Sequence, residues 1–207
     1  MTDTQMTDDD LDAAHKKRME RLDAAVEKKL AAATDAKRLL IVYTGDGKGK
    51  TTAALGMAWR ALGHGMRVGV VQFIKGTIAT GEEMLARRLD LPLEFHVMGE
   101  GFTWKTQDRQ RDIAAARRGW QKAAELLNNP AVGLVILDEL NIVLDYGYLP
   151  TEEVVRVVSA RAQGQHVVIT GRGAPEALCD AADLVSEMTA VKHPFAEGIK
   201  PQVGVEY

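Results

Sequence analysis

The sequence predicts an α/β fold: a mostly parallel sheet covered by helices on both faces, preceded by a helical arm. Three observations predict it. Short, continuously apolar runs rich in branched residues recur along the chain, as strands buried on both faces require. Segments with helical spacing separate these runs, the alternation that parallel sheets need. The runs end in Gly, Asp, Glu or Arg, and ligands of such sheets bind beyond the carboxyl ends of the strands.

Taken in order, Leu39 to Tyr43 is the first such run, and a glycine-rich loop follows at once. Lys50 to Leu62 then reads as a helix. Val68 to Phe73 is a second buried strand, and Gly133 to Leu137 is another, ending at Asp138-Glu139. Val167 to Thr170 is a further one, ending at Gly171-Arg172-Gly173. Residues 1–38 differ from the rest. A short acidic start leads into a run rich in Ala, Lys and Glu, without Gly or Pro. Met19, Leu22, Val26 and Leu30 recur there at helical spacing, one narrow apolar stripe on a charged helix, with Asp10 as the expected N-cap. Two readings stand for this arm: a solvated or partly disordered extension, or a helix that docks its stripe on a partner subunit or over a ligand. The expected organisation is an arm at 1–38 and an α/β domain at 39–207, with no internal repeat or low-complexity linker.

Composition sets outer limits. The chain has 207 residues, 46% hydrophobic and 27% charged, enough for one domain with a full core. A net charge of -3 argues against a dedicated nucleic-acid binder and leaves room only for a local basic stripe. The single cysteine, Cys179, has no intrachain partner, and no Cys/His cluster has zinc-site spacing. No apolar run is long enough for a bilayer, and the acidic start lacks the basic and apolar regions of a signal peptide. The expected location is the cytoplasm, with no membrane and no nucleic acid among the partners.

The chemistry is concentrated in Thr44-Gly45-Asp46-Gly47-Lys48-Gly49-Lys50-Thr51-Thr52. The P-loop pattern is G-x-x-x-x-G-K-[ST]. Gly49-Lys50-Thr51 supplies its end, while Thr44 stands at the position of the first glycine. Gly45 and Gly47 let the backbone turn its N–H groups around phosphate oxygens, and a helix N-terminus adds a favourable dipole. Lys50 is expected to reach a terminal phosphate, Lys48 to add a second cation, and Thr51 to offer its hydroxyl to Mg²⁺. A bare glycine turn before a helix would carry no such meaning, but this one follows a buried strand and contains Gly-Lys-Thr. Leu134 to Glu139 reads as a second P-loop signature, a strand delivering Asp138 and Glu139 towards the metal. The predicted fold is therefore of the P-loop, RecA-like kind.

Phosphate binding does not identify a reaction. Hydrolysis needs a group that positions water, which Glu139 could be. A kinase needs an acceptor pocket that the sequence does not advertise. The Asn-Lys-x-Asp motif that reads guanine is absent, which favours ATP. On residue chemistry alone the chain is an Mg-ATP-binding P-loop protein.

The P-loop from Gly45 to Ala54 resembles that of the ATP:corrinoid adenosyltransferases of bacterial cobalamin synthesis and salvage, and the resemblance runs over almost the whole chain. Val71-Gln72-Phe73-Ile74-Lys75-Gly76 is similar to that family's second-strand motif. Gly101-Phe102-Thr103-Trp104 followed by Thr106-Gln107 is highly characteristic of it. Asp138-Glu139-Leu140-Asn141, Thr170-Gly171-Arg172-Gly173, Val191-Lys192-His193-Pro194-Phe195, Gly198-Ile199-Lys200 and Gly204-Val205-Glu206-Tyr207 follow in family order. The Lys-rich helix with His15 and Met19 is similar as well. Two positions depart from the pattern. Asp46 stands where Asn is frequent, and Pro201 where Ala is usual.

The resemblance implies an enzyme in which corrinoid cobalt, reduced to Co(I), attacks the 5′ carbon of ATP and the whole triphosphate leaves. Co(I) is already a strong nucleophile, so no Ser, Cys or His base is required. The protein has to align the 5′ carbon with cobalt and stabilise charge on the departing triphosphate. The resemblance implies that the loop from Thr44 to Thr52, with Lys48, Lys50 and Arg172, holds the ATP triphosphate. It also implies that Thr51, Asp138 and Glu139 serve Mg²⁺, and that Lys50, Thr51 and Glu139 form the catalytic set. Phe102 and Trp104 resemble the aromatic pair that packs on the lower face of the corrin. His193 reads as a structural histidine, since a further axial ligand would oppose reduction of cobalt. An electron-donating flavoprotein or reductase and a second copy of the chain are the implied partners. Two alternatives stand beside this reading: a RecA-like ATPase that hydrolyses ATP to drive a partner, and a corrinoid-binding delivery module without chemistry.

Overall fold

The structure, a computed structural model, describes residues 7–74, 80–99 and 108–206. The chain divides into two compact units, Met1–Lys37 and Arg38–Tyr207.

Among its described residues the first unit has one helix, α1 (Asp8–Ala32), with no buried residue. Its N-cap is Thr7, not Asp10. The Thr7 hydroxyl accepts the Asp10 N–H, and the Asp10 carboxylate accepts the Thr7 N–H in return. This is a capping box, so Asp10 is the reciprocal third residue of the first turn. Asp8, Asp9 and Asp10 also sit well against the positive end of the helix dipole. Met19, Leu22, Val26 and Leu30 are all exposed.

The second unit is a three-layer α/β domain. In chain order it contains β1 (Leu40–Thr44), α2 (Lys50–Gly63), β2 (Arg67–Gln72), α3 (Gly81–Ala86) and β3 (Leu93–Val97). Then come α4 (Arg109–Leu127), β4 (Val132–Asp138), α5 (Leu140–Asp145), α6 (Thr151–Ser159), β5 (His166–Thr170), α7 (Glu176–Ala181) and β6 (Leu184–Glu187). The sheet is parallel throughout, in the order β3-β2-β4-β5-β1-β6. Every strand therefore points its carboxyl end to the same edge.

Alternation along the strands sorts the core into two layers. Ile41, Val68, Val70, Leu134, Ile136 and Val168 face Ala54, Ala58 and Ala61 of α2. Leu40, Val42, Val71, Val135, Leu137, Val167 and Ile169 face the other way, onto Trp120, Ala123, Leu126 and Leu127 of α4, Val154 and Val158 of α6 and Leu178 of α7. The alanines of α2 bring that helix close to the sheet, which sets its first turn against the strand ends. Across the other layer, the Trp120 indole N–H donates to Glu153 and links α4 to α6.

The four apolar runs of the sequence lie at β1, β2, β4 and β5. The outer strands β3 and β6 lie outside that pattern. In β3, Glu94 and His96 alternate with apolar residues, and all its positions are half-buried. In β6, three of four residues are exposed. Both have a neighbour on one side only, so neither carries the continuous apolar signature of a doubly covered strand.

Ile136 is fully buried at the centre of the sheet. Ile136→Ala is expected to lower unfolding free energy by about 3 kcal/mol, through lost burial and the cavity left behind. Urea denaturation checks this, and a loss below about 1 kcal/mol would contradict the layer assignment.

Candidate active site

The phosphate loop lies where β1 ends. Thr44 closes the strand: its hydroxyl accepts the Ala174 N–H at 3.2 Å and its carbonyl accepts the Met188 N–H at 2.9 Å. Among the described non-glycine residues only Glu139 has a positive φ, so the Thr44 position demands no glycine. The turn is carried by Gly45 at φ 90° and Gly49 at φ 109°, which L side chains rarely adopt. Gly47 is required for space. A Cβ there would lie 2.7 Å from backbone atoms of Met188 and Thr189, and the Gly47 N–H donates to the Met188 carbonyl at 2.6 Å. The backbone after β6 thus forms a wall against which the loop is pressed.

Gly49 is the N-cap of α2, which has no side-chain cap and no acidic residue in its first turn. The positive end of this helix is therefore uncompensated by its own sequence, the arrangement that favours an anion. Lys50 opens the helix and is buried, its ammonium donating to the carbonyls of Gly45 and Gly47 at 2.6 Å each. Burial pulls its pKa below the usual lysine value, while the nearby Glu139 carboxylate acts in the opposite direction.

Behind the loop sits Asp138, 1% exposed at the end of β4. Its carboxylate accepts from the Thr51 hydroxyl at 2.8 Å, the Thr170 hydroxyl at 2.7 Å and the Gln72 amide at 2.9 Å. The next residue, Glu139, adopts the left-handed conformation at φ 63° and donates its N–H to the Thr170 hydroxyl at 3.0 Å. That reversal turns Glu139 into the cavity while Asp138 stays behind Thr51. Asn141 reaches back to join β1 and β5, donating to the Tyr43 and Gly171 carbonyls at 3.2 and 2.9 Å.

These elements wall a cavity of about 1160 Å³, beyond the roughly 300–1,000 Å³ of an ordinary small-molecule pocket. One end is lined by Asp46 to Thr52, Glu139 and Arg172. The remaining wall includes Leu55, Trp59, Ile74, Leu85, Ile142 and Tyr146. No histidine or cysteine is among the described lining residues. The sequence-predicted phosphate groups are thus brought together, except that Thr44, Gly45 and Asp138 stand behind the lining. Arg172 and Asp46 are both largely exposed, with Nε and Oδ1 3.6 Å apart. Phe102 and Trp104 lie outside the described residues. His193 accepts the Phe195 N–H at its Nδ1 and caps the 3₁₀ turn Pro194–Glu197.

Among the described residues no cluster of three His, Cys, Asp or Glu residues could hold a metal by itself. Thr51 and Glu139, which both line the cavity beside the phosphate loop, nevertheless carry hard oxygen atoms. Such a pair suits Mg²⁺, which completes its shell with phosphate oxygens and water.

Four contributors were not assigned from sequence. Gln72 and Thr170 hold Asp138, and Trp59 and Tyr146 line the cavity. Gln72 and Thr170 are polar residues ending buried strands, a signal that strand periodicity alone passes over. Trp59 lies on the partly exposed face of α2, where its spacing reads only as helix.

Residues 36–207 match the family model described as ATP:corrinoid adenosyltransferase BtuR/CobO/CobP. A corrinoid adenosyltransferase of Pseudomonas aeruginosa is 57% identical over 196 residues, 95% of this chain and 97% of the relative. Those of Escherichia coli and Salmonella typhimurium are 47% and 46% identical, each alignment covering 95% of this chain and 99% of the relative.

Gly47→Ala is expected to weaken ATP binding at least tenfold and to cost about 2 kcal/mol of stability, because the added methyl must displace backbone. Calorimetric titration with ATP and urea unfolding read the two effects. A variant with wild-type affinity would refute the packed wall.

Proposed function

The chain belongs to the ATP:corrinoid adenosyltransferases, and on that premise we propose that its cavity performs the transfer of the adenosyl group of ATP to a corrinoid with the triphosphate as leaving group. The supporting observation is the division of one cavity between a phosphate-loop end that carries Lys48, Lys50 and Arg172 and a wall that carries Leu55, Trp59 and Tyr146 beside the acids Glu82 and Asp145. Lys48, Lys50, Arg172 and the start of α2 grip phosphates at the first. Leu55, Trp59 and Tyr146 supply surface for flat, weakly polar groups at the second.

In the proposed reaction the substrate's Co(I) gives an electron pair to the 5′ carbon of ATP. The carbon–oxygen bond to the triphosphate breaks, and its electron pair stays on the triphosphate oxygen. Charge therefore grows at the phosphate end, where Lys48, Lys50 and Arg172 are gathered and would exchange their present acceptors for phosphate oxygens. No protein group has to remove a proton. Thr51 and Glu139 are the proposed holders of Mg²⁺, with Asp138 keeping the Thr51 hydroxyl in place. When bound, Mg²⁺ would neutralise phosphate charge. Phe102 and Trp104 are the proposed corrin-face pair, excluding a lower axial ligand and so easing reduction of Co(II). The partners proposed on this reading are a flavoprotein or other reductase and a second copy of the chain. The exposed stripe of α1 supports the latter. Among the described residues no helix is long and apolar enough to cross a membrane, and the proposed compartment is the cytoplasm.

Anaerobic incubation with Mg-ATP and chemically reduced corrinoid is expected to yield the cobalt–carbon bond, seen in the visible spectrum. ATP consumption without alkylation would favour a hydrolase, and binding of both substrates without turnover a delivery module. Trp104→Ala is expected to impair adenosylation from Co(II) with a reductase at least tenfold, with a smaller loss from prereduced Co(I). Equal losses in the two assays would indicate a packing role.

A further inference from the structure

The cationic groups of the phosphate end are each met by an acceptor of the chain. Lys50 donates to the loop carbonyls of Gly45 and Gly47, Arg172 faces Asp46, and the Gly47 N–H is held by the Met188 carbonyl. Lys48 is paired with the Glu206 carboxylate, which comes from the far end of the chain. Gly204 and Val205 line the same cavity beside it.

The pair is asymmetric in a telling way. The Glu206 side chain is 15% exposed and that of Lys48 is 48% exposed. The carboxylate is drawn into the cavity wall, whereas an ordinary surface pair leaves both groups in water. Yet little packing anchors the segment that carries it. Val203 and Val205 are 79% and 77% exposed, and a single turn, with the Val205 and Glu206 N–H groups donating to the Gln202 carbonyl, shapes this stretch. Among the described residues of this tail, the ion pair is the side-chain contact that joins it to the phosphate loop.

The Lys48 ammonium is half exposed, and water screening at that partner leaves the pair little to contribute to folding, so stability gives little reason for an acid at this place. Competition gives a better one. Lys48 lines the end of the cavity where phosphates are proposed to bind, and a carboxylate and a phosphate oxygen cannot both take the same ammonium without repelling each other. A loop that grips ATP through its triphosphate grips the liberated triphosphate through the same contacts. Undiminished grip after transfer would hold back turnover.

We propose that Glu206 is a positioning residue for product release: its carboxylate competes with the triphosphate for Lys48 and so speeds departure of the leaving group. The exchange moves no proton and breaks no covalent bond; the Lys48 ammonium trades one oxyanion for another. This inference rests on the reading that the loop binds the triphosphate of ATP.

The test titrates inorganic tripolyphosphate and, separately, ATP into the full-length protein at low salt. The proteins compared are wild type, Glu206→Gln and Glu206→Asp. The Gln variant keeps the shape and loses the charge. It is expected to bind tripolyphosphate about three- to tenfold more tightly, with kcat and the KM for ATP both falling in turnover assays. Glu206→Asp keeps the charge and is expected to stay within about twofold of wild type. The gain in the Gln variant should shrink at high salt. Merely structural loss at the tail would weaken binding. A Gln variant that binds no more tightly than wild type, or an Asp variant that gains as much as Gln, overturns the proposal. If neither wild type nor Gln variant binds tripolyphosphate or ATP, the phosphate-loop reading fails with it. Equal binding by both removes only the role of Glu206.

Discussion

One buried carboxylate organises this site. Asp138 sits at the end of the central strand β4, almost without contact with water, and a charge so placed needs partners to be tolerated. It takes them from three directions: Gln72 at the end of β2, Thr170 at the end of β5 and Thr51 in the first turn of α2. Strand ends and helix start are thereby locked in mutual register. Removing a single donor would leave a buried acceptor short of a bond, at about 1–3 kcal/mol. The position of the phosphate loop follows from this constraint, because α2 starts where Thr51 is held.

What the constraint achieves is a division of labour between neighbours. Asp138 stays behind the cavity lining and orients, while Glu139 lines the cavity. The left-handed backbone of Glu139 is the means of that separation, and the Thr170 hydroxyl supports both residues at once. A parallel sheet makes the arrangement economical, since all six strands present their carboxyl ends along one edge. The alanines of α2 let its first turn, with the uncapped N-terminus, approach that edge closely. On the proposed reading the phosphate-loop end takes the developing charge of the leaving group, and the wall with Leu55, Trp59 and Tyr146 receives the transferred adenosyl and its acceptor.

Much of this was legible in the sequence because the relevant signals are local. Strands β1, β2, β4 and β5 announce themselves as apolar runs, and Gly49-Lys50-Thr51 follows directly on the first of them. The departure at Thr44 is explained by the backbone: the turn falls one residue later, at Gly45. Other features were beyond sequence reasoning for physical reasons. Strands β3 and β6 are covered on one edge only, so polar residues interrupt their patterns. Asp10 looked like a helix cap because acids commonly are, whereas reciprocity with Thr7 makes it the other half of the motif. The wall of Met188 and Thr189 against Gly47, and the approach of Glu206 to Lys48, join segments far apart in the chain. No spacing rule reports such contacts. Asp46 is a carboxylate in a phosphate loop, and its place beside Arg172, turned towards solvent, emerges only in three dimensions.

The central claim is that the grip on phosphates serves a leaving group and not a transferred phosphoryl. The most direct measurement is the fate of ATP labelled in its γ-phosphate during anaerobic adenosylation of a reduced corrinoid. The account predicts that the label is recovered in intact triphosphate, one molecule for each cobalt–carbon bond formed. Recovery of the label as inorganic phosphate, or on the corrinoid itself, with ADP as the companion product and no cobalt–carbon bond, would contradict it.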